Sequence, residues 1–363
     1  MSSPKYSQLE DGTGARLRSR CGCTAAPLKI FLCCVVLATL AYLAALTRDS
    51  WQTEEVSEDE FDPLWQLLGG TDSTVEWETT LDSEVAASDN MTGDTLRALL
   101  QPGYVIENTG LCPDDGDSLQ LLVLVTSAPD HLAQRMAIRY TWGHFAARSD
   151  VAIGFFLGAV EDVRLQEHLR EEHEIYKDIV QSRNVDKYEM LSVKTASMLD
   201  WVDDNCPHAP FVLKTDDDMF VNIPVLMKFQ QQHDGARNTI FGRVAVGWKP
   251  FRDPGNKYLL TMEQFNGSTL PEFVTGPAYL MTRDVVRPLY LEALDRRLVP
   301  LEDVFFTGIV AHDLCVNRVH SDLFHNYIEK DACKRQKSIS IHGLSYKAQF
   351  ALWSQMLDGN HRC

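Results

Sequence analysis

Residues 211–222 read "FVLKTDDDMFVN", an apolar, β-branched run that ends in three adjacent carboxylates, Asp216, Asp217 and Asp218, and then turns apolar again. Neighbouring like charges repel, and each resists leaving water. A buried strand that ends this way calls for a cation. In extended chain successive side chains alternate, so Asp216 and Asp218 can face one ligand while Asp217 points elsewhere. A hard divalent ion that also binds phosphate oxygens takes only one or two carboxylates from a protein. The plainer reading of three aspartates is a solvated turn, but the flanks here are apolar on both sides. An EF-hand loop is excluded, because Phe220 and Val221 stand where it needs Asp or Asn and Gly.

Upstream, "LQLLVLVTS" from Leu119 reads as a buried strand, "DHLAQRMAIRYTW" as a helix capped by Asp130, and "VAIGFFLGA" as a second buried strand. A charged surface helix, "EDVRLQEHLREEHEIY", precedes a short strand at "DIVQ". "KYEMLSVKTASMLDWVDDN" is a further helix leading to "FVLKT", the central strand. Continuous apolar strands alternating with helices predict an α/β fold, a mostly parallel sheet with helices on both faces. Ligands of such sheets sit at the carboxyl ends of the strands, where the three aspartates are. Beyond Asn222 come the strand "NTIFGRVAV", a loop with Pro250, Pro254 and Gly255, the strand "PAYLM", and helices near Arg283 and Asp303.

The composition of the 363 residues, 45% hydrophobic and 23% charged, is globular. The net charge of −17 is concentrated: Asp49 to Thr95 holds fourteen Asp or Glu and no Lys or Arg. The remainder is nearly balanced, which excludes the basic footprint that nucleic-acid binding requires. Residues 30–46, "IFLCCVVLATLAYLAAL", form an apolar run broken only by Thr39 and bounded by Lys29 and Arg48. As a helix it spans about 25 Å, the short end of what crosses a bilayer. Basic residues precede it and acidic ones follow, so the positive-inside rule leaves the N-terminus in the cytosol. An uncleaved signal-anchor is preferred to a signal peptide, because no small-residue cleavage site follows Leu46. The expected plan is a cytosolic tail (1–29), a transmembrane signal-anchor (30–46), an acidic stem (47–110) with a short helix in "DTLRALLQP", and a lumenal catalytic domain (111–363). A short span fits a thin early-secretory bilayer, the Golgi or endoplasmic reticulum.

The tripeptides at Asn90 and Asn266 are N-glycosylation acceptors beyond the anchor. Of nine cysteines, Cys21, Cys23, Cys33 and Cys34 lie in or before it, where acylation is possible. Cys112, Cys206, Cys315, Cys333 and Cys363 lie beyond it, an odd number in a disulfide-permissive compartment. A Walker loop, a dinucleotide fingerprint, a nucleophile elbow and HExxH are all missing.

The chain resembles the β-1,3-glycosyltransferase family of β-1,3-galactosyltransferases and β-1,3-N-acetylglucosaminyltransferases, type II Golgi enzymes of GT-A fold. The matching blocks are "RMAIRYTWG" (135–143), "FVLKTDDDMFVN" (211–222), "FRDPGNKY" (251–258), "PEFVTGPAYLM" (271–281), "LEDVFFTG" (301–308) and the tail from "SISIHGLS" to Cys363. The resemblance covers about Leu119 to Cys363 and leaves the tail and stem aside. It implies Mn²⁺ held by Asp216, Asp218 and His342, with Asp218 the more direct ligand; alone, a histidine in an apolar strand reads as a packed or capping residue. It implies Asp303 as general base with Glu302, Gly276 and Tyr279 on the acceptor side, although "ED" before an apolar run also reads as a helix N-terminal turn. Arg135 and Arg139, four apart on one helical face, read equally as a salt-bridged surface or, with Asp217, as donor contacts. Cys333–Cys363 is the first expected disulfide and Cys112–Cys206 the second, leaving Cys315 a buried free thiol.

Two departures bear on specificity: "DVFFTG" is one residue longer before its glycine than the family pattern, and "VTGPAY" replaces a glycine-rich "SGxGY". The implied activity is metal-dependent, inverting transfer from a UDP-sugar to a glycan acceptor on glycoprotein or glycolipid, in β-1,3 linkage. "KTDDD" is closer to the galactosyl members, hence UDP-galactose; the alternative donor is UDP-N-acetylglucosamine. Two other classes stand beside it, a non-catalytic lumenal glycan-binding or chaperone protein of the same fold and a metal-dependent phosphohydrolase.

Overall fold

The computed structural model describes residues 95–358. The expected anchor, Asn90 and Cys363 lie outside them, and among the described residues no helix is long and apolar enough to cross a membrane. Strands β1 (Tyr104–Ile106), β2 (Leu121–Thr126), β3 (Val151–Ala159), β4 (Ile179–Val185), β5 (Phe211–Asp216), β7 (Thr239–Ala245), β8 (Phe273–Thr282) and β9 (Asn317–His320) form one sheet in the order β1-β4-β3-β2-β5-β8-β7-β9. The run β4-β3-β2-β5 is parallel, while β1 against β4 and both neighbours of β8 are antiparallel, so the sheet is mixed. A second sheet, β10 (Phe324–His325), β11 (Ser340–His342) and β6 (Met219–Val221), begins two residues beyond β5.

The expected continuous apolar strands have a direct cause in the packing. Along β2, Leu121, Val123 and Val125 enter one apolar cluster while Leu122 and Leu124 enter the other, so both faces are buried. Helices α1 (Leu96–Leu99), α2 (Leu132–Tyr140), α3 (Val163–Tyr176), α4 (Leu191–Asn205), α5 (Ile223–Gln232) and α6 (Val286–Leu294) come in chain order. After them come α7 (Ala311–Asp313), α8 (Ala332–Lys337) and α9 (Tyr346–Leu357). α4 and α6 feed one cluster, α2, α5 and α9 the other. α3 is capped by Asp162, whose carboxylate accepts from the Arg164 and Leu165 amides.

Several expectations need correction. The folded chain starts ahead of residue 111: Leu96 is fully buried, its amide donates to the Arg296 carbonyl at 2.9 Å, and β1 edges the sheet. Asp130 does not cap α2; His131 occupies that position, and its ring turns to Asp217 instead. Cys315 is a free thiol but exposed, because the chain takes a left-handed turn there (φ 53°) between α7 and β9. Cys112 and Cys206 are disulfide-bonded, and Cys333 is disulfide-bonded as well.

The Cys112–Cys206 bridge closes a loop with a sequence separation of 94 and ties the approach to β2 onto the end of α4. Constraint of so long a loop in the unfolded chain is worth about 2–5 kcal/mol. Replacing both cysteines by serine is expected to lower the denaturant midpoint accordingly, with the change read by guanidinium unfolding of the full chain.

Candidate active site

Asp216 ends β5, and Asp217 and Asp218 make the turn into β6. Each carboxylate meets a different partner. Asp216 Oδ1 accepts from Lys214 Nζ at 2.6 Å and from Thr126 Oγ1 at 2.7 Å. Asp217, buried, accepts from Ser127 Oγ at 2.7 Å and pairs with His131 Nδ1 at 2.8 Å. Asp218 Oδ2 faces His342 Nε2 at 3.1 Å.

The last of these contacts follows from strand register. β11 pairs antiparallel with β6 so that His342 lies opposite Met219, one residue from Asp218. Backbone hydrogen bonds then fix the turn: the Asp217 carbonyl accepts from Gln349 Nε2, the Asp218 carbonyl from the Leu344 amide, and the Met219 carbonyl from Trp142 Nε1. The C-terminal segment "SISIHGLS" is thus a wall of the site.

The expected set of three metal ligands separates into a pair and a neighbour. Among the described residues no group of three or more His, Cys, Asp or Glu side chains is arranged to hold a metal. Asp218 and His342 do fit one as a pair. Asp218 Oδ1 is buried without a hydrogen-bond partner, an acceptor that a cation would satisfy. His342 Nδ1 lies 3.3 Å from the Asn326 carbonyl, which orients the ring with Nε2 toward Asp218. The Asp218 carboxylate holds the imidazole pKa above its usual value, so a cation binding here displaces a proton. One carboxylate and one imidazole leave the other positions of a Mn²⁺-type ion to oxygen ligands such as phosphate.

A second group of charges adjoins the first through Lys214. Its ammonium, 3% exposed, donates to Asp216, to Glu302 Oε1 at 2.9 Å and to the Gly276 carbonyl at 2.9 Å. Glu302 also accepts from Tyr279 Oη at 3.1 Å. Burial pushes the Glu302 carboxyl up to about 7, against the opposing pull of Lys214 and with the support of neighbouring Asp303. The same burial raises Asp303, while the amides of Val304 and Gly276 resist the shift by donating to its two oxygens at 2.8 and 2.9 Å. Glu302 and Tyr279, expected on the acceptor side, are buried, whereas Asp303 is half-buried and is the more accessible carboxylate of the pair.

The two departures from the family pattern meet here. β8 pairs Tyr279 with Gly242 and Val274 with Val244, so Thr275–Ala278 bulge opposite the single Arg243. Pro277, which has no N–H, sits in that bulge. The bulge turns Gly276 toward the acid pair: a Cβ there would lie 3.1 Å from Glu302 Oε1 and 3.3 Å from Asp303 Oδ2. After Asp303 the chain forms a π-helix, Val304–Val310. Its wider turn holds one residue more than an α turn, which accommodates the extra residue of "DVFFTG".

Arg135 and Arg139 do not form a surface pair: both are held in buried ion pairs. Arg135, 1% exposed, donates to both oxygens of Glu172, to Ser127 Oγ and to the carbonyls of Ala128 and Pro129. It reaches the aspartates only through Ser127. Arg139 pairs with Glu172 and Asp178 and lies over the rings of Phe155 and Tyr176. Asp217 likewise faces inward. Thr215, the residue that sets "KTDDD" apart, is buried with its hydroxyl on the Pro277 carbonyl at 3.2 Å. Asn266 is exposed. Sequence reasoning missed Lys214, whose signal was a lysine inside a central apolar strand, and Thr126, Ser127 and Asn326, which carry no local signal.

Residues 133–322 match the sequence model of a family described as Galactosyltransferase. Lactosylceramide 1,3-N-acetyl-beta-D-glucosaminyltransferase of Mus musculus is 31% identical over 228 residues, 60% of this chain and 58% of that protein. Beta-1,3-galactosyltransferase 1 of Homo sapiens is 29% identical over 248 residues, 67% of this chain and 76% of that protein. UDP-GalNAc:beta-1,3-N-acetylgalactosaminyltransferase 1 of Homo sapiens is 32% identical over 247 residues, 65% and 74%.

Gly276→Ala is expected to fold yet lose about 10- to 100-fold in turnover, the scale on which small misplacements act. Thermal melting beside steady-state rates separates the two effects. Because burial raises the Asp303 carboxyl, the rate should fall with decreasing pH on a limb displaced above the ordinary carboxylate range. An acidic limb at the ordinary aspartate value, about 3.9, is incompatible with Asp303 supplying the base.

Proposed function

This chain belongs to the galactosyltransferase family, and from that premise we propose that it transfers galactose from UDP-galactose to a glycan hydroxyl in β-1,3 linkage, with inversion. The observation that carries the proposal is the single buried Lys214 that joins the Asp216–Asp218 turn to the Glu302–Asp303 pair. It sets a carboxylate able to accept a proton beside a carboxylate and imidazole able to hold a cation. Asp303 takes the proton from the acceptor hydroxyl as that oxygen bonds to the anomeric carbon and the bond to the UDP oxygen breaks. The Gly276 and Val304 amides hold the Asp303 carboxylate, and Glu302, anchored by Lys214 and Tyr279, backs it. Asp218 and His342 would hold Mn²⁺, which when bound neutralises charge on the departing diphosphate.

Three features support this reading: the acid pair with raised pKa, the orphaned Asp218 oxygen, and relatives whose printed names are all 1,3-linking glycosyltransferases. The fold we infer is GT-A. The same reading keeps residues 30–46 as the anchor of a type II Golgi protein with residues 95–358 in the lumen.

In a transfer assay offering UDP-galactose, UDP-N-acetylglucosamine and UDP-N-acetylgalactosamine, the first is expected to be the best donor. Asp303→Asn should retain Mn²⁺-dependent UDP binding and lose about 10²- to 10⁴-fold in transfer. Asp218→Ala and His342→Ala should lose the Mn²⁺-dependent part of UDP binding itself, measured by calorimetry. Wild-type turnover by Asp303→Asn would remove the assigned base. Hydrolysis of the nucleotide sugar at the same rate without acceptor would favour a phosphohydrolase.

A further inference from the structure

The loop between β7 and β8, residues 246–272, exposes aromatic side chains beside the acid pair. Trp248 is 51% exposed, Phe251 49% and Tyr258 42%, and Tyr188, on the turn leading into α4, is 47% exposed. Apolar surface left in water is unfavourable, and a contiguous patch of it marks a binding surface.

The loop is built to hold these rings in place. The Arg252 guanidinium donates to four backbone carbonyls, those of Leu260, Thr261, Phe265 and Gly267. The Leu260 amide donates to the Phe251 carbonyl at 3.0 Å and the Leu270 amide to the Trp248 carbonyl at 2.8 Å. Leu260 is fully buried in the apolar cluster that also contains Phe305 and Phe306, immediately after Asp303. Trp248 packs edge-on against Phe273, three residues before Gly276 on the same strand, with ring centroids 5.7 Å apart. The loop is therefore fastened to β8, whose Gly276 contacts Asp303, and to the apolar cluster that holds the segment after the acid pair.

Phe251 and Tyr258 stand together, ring centroids 6.1 Å apart, with the Lys257 ammonium 4.8 Å from the Tyr258 ring. The Tyr188 hydroxyl is pushed up to about 12, first by burial and then by Tyr258, Asp303 and Asp216.

Fixed aromatic faces beside a proton-accepting carboxylate suit a pyranose, whose ring has an apolar C–H face and a polar edge. Tyrosine matches both, and a rigid surface binds without ordering cost. We propose that Tyr188, Phe251 and Tyr258 form the surface on which the sugar rings of the acceptor glycan lie next to Asp303. This rests on the glycosyl-transfer reading and adds to it the seat of the second substrate.

The test uses the full-length chain, Mn²⁺, UDP-galactose, and oligosaccharides ending in galactose, N-acetylglucosamine or N-acetylgalactosamine. Tyr258→Ala, Phe251→Ala and Tyr188→Ala should each raise acceptor KM by about tenfold, the scale of one aromatic contact, with much smaller movement in the KM for UDP-galactose. Tyr258→Phe and Tyr188→Phe, which keep the ring, should restore most of the loss and control for folding. An unchanged acceptor KM overturns the proposal, and so does a rise confined to donor KM, which would make the rings a seat for uracil. Saturation-transfer NMR with the same oligosaccharides reads the surface without turnover. Binding that the alanine variants lose, in a wild type that transfers nothing, would retire the transferase reading and retain the surface. Oligosaccharides that fail to bind the wild type overturn the surface itself.

Discussion

The structure turns on how three consecutive carboxylates are kept from opposing one another. Their charges are not pooled on one ion. Asp216 goes to Lys214, Asp217 to His131 and Ser127, and Asp218 to His342. Each side chain takes a different direction at the end of β5, so repulsion is exchanged for local pairing, with Lys214 and Asp217 buried and Asp216 and Asp218 partly open to water. Of the three, only Asp218 retains a buried oxygen with no partner, the observation on which the proposed cation rests.

Lys214 extends this arrangement to the chemistry. One buried ammonium shared between Asp216 and Glu302 fixes the relation between the Asp216–Asp218 turn and the Glu302–Asp303 pair. The bulge in β8 and the π-helix after Asp303 serve the same end, because both are places where the regular ladder is broken to aim a group. Gly276 is the contact between them, with its carbonyl on Lys214 and its amide on Asp303. Away from the cleft, Arg135 and Arg139 brace the loop after β2 through Glu172 and Asp178, and so hold Ser127 against Asp217.

Much of the fold was legible because its signals are local. The strand "VAIGFFLGA" and the charged helix that follows it fall where the apolar run and the charged stretch put them. Asp218 was legible as part of a run of carboxylates between apolar flanks, whereas Asp303 was singled out only through the family resemblance. Lys214 was read as part of an apolar flank, since a lysine in a buried strand makes sense only with both of its carboxylates in view. Arg135 and Arg139 were ambiguous for a related reason. Helical spacing places two guanidinium groups on one face but does not say what covers that face, and here Glu172 and Asp178, from a different helix and the turn beyond it, cover both.

The chain itself determined which residues can carry charge at a strand end, where strands and helices alternate, and that the cleft lies at the carboxyl end of β5. Those follow from side-chain alternation and the cost of burying charge, both properties of short stretches. Tertiary structure alone decided that His342 faces Asp218, that Lys214 is shared with Glu302, and that Glu302 also meets Tyr279. The first depends on strand register, and the other two join residues 88 and 23 apart, so all three are set by the packing of whole elements.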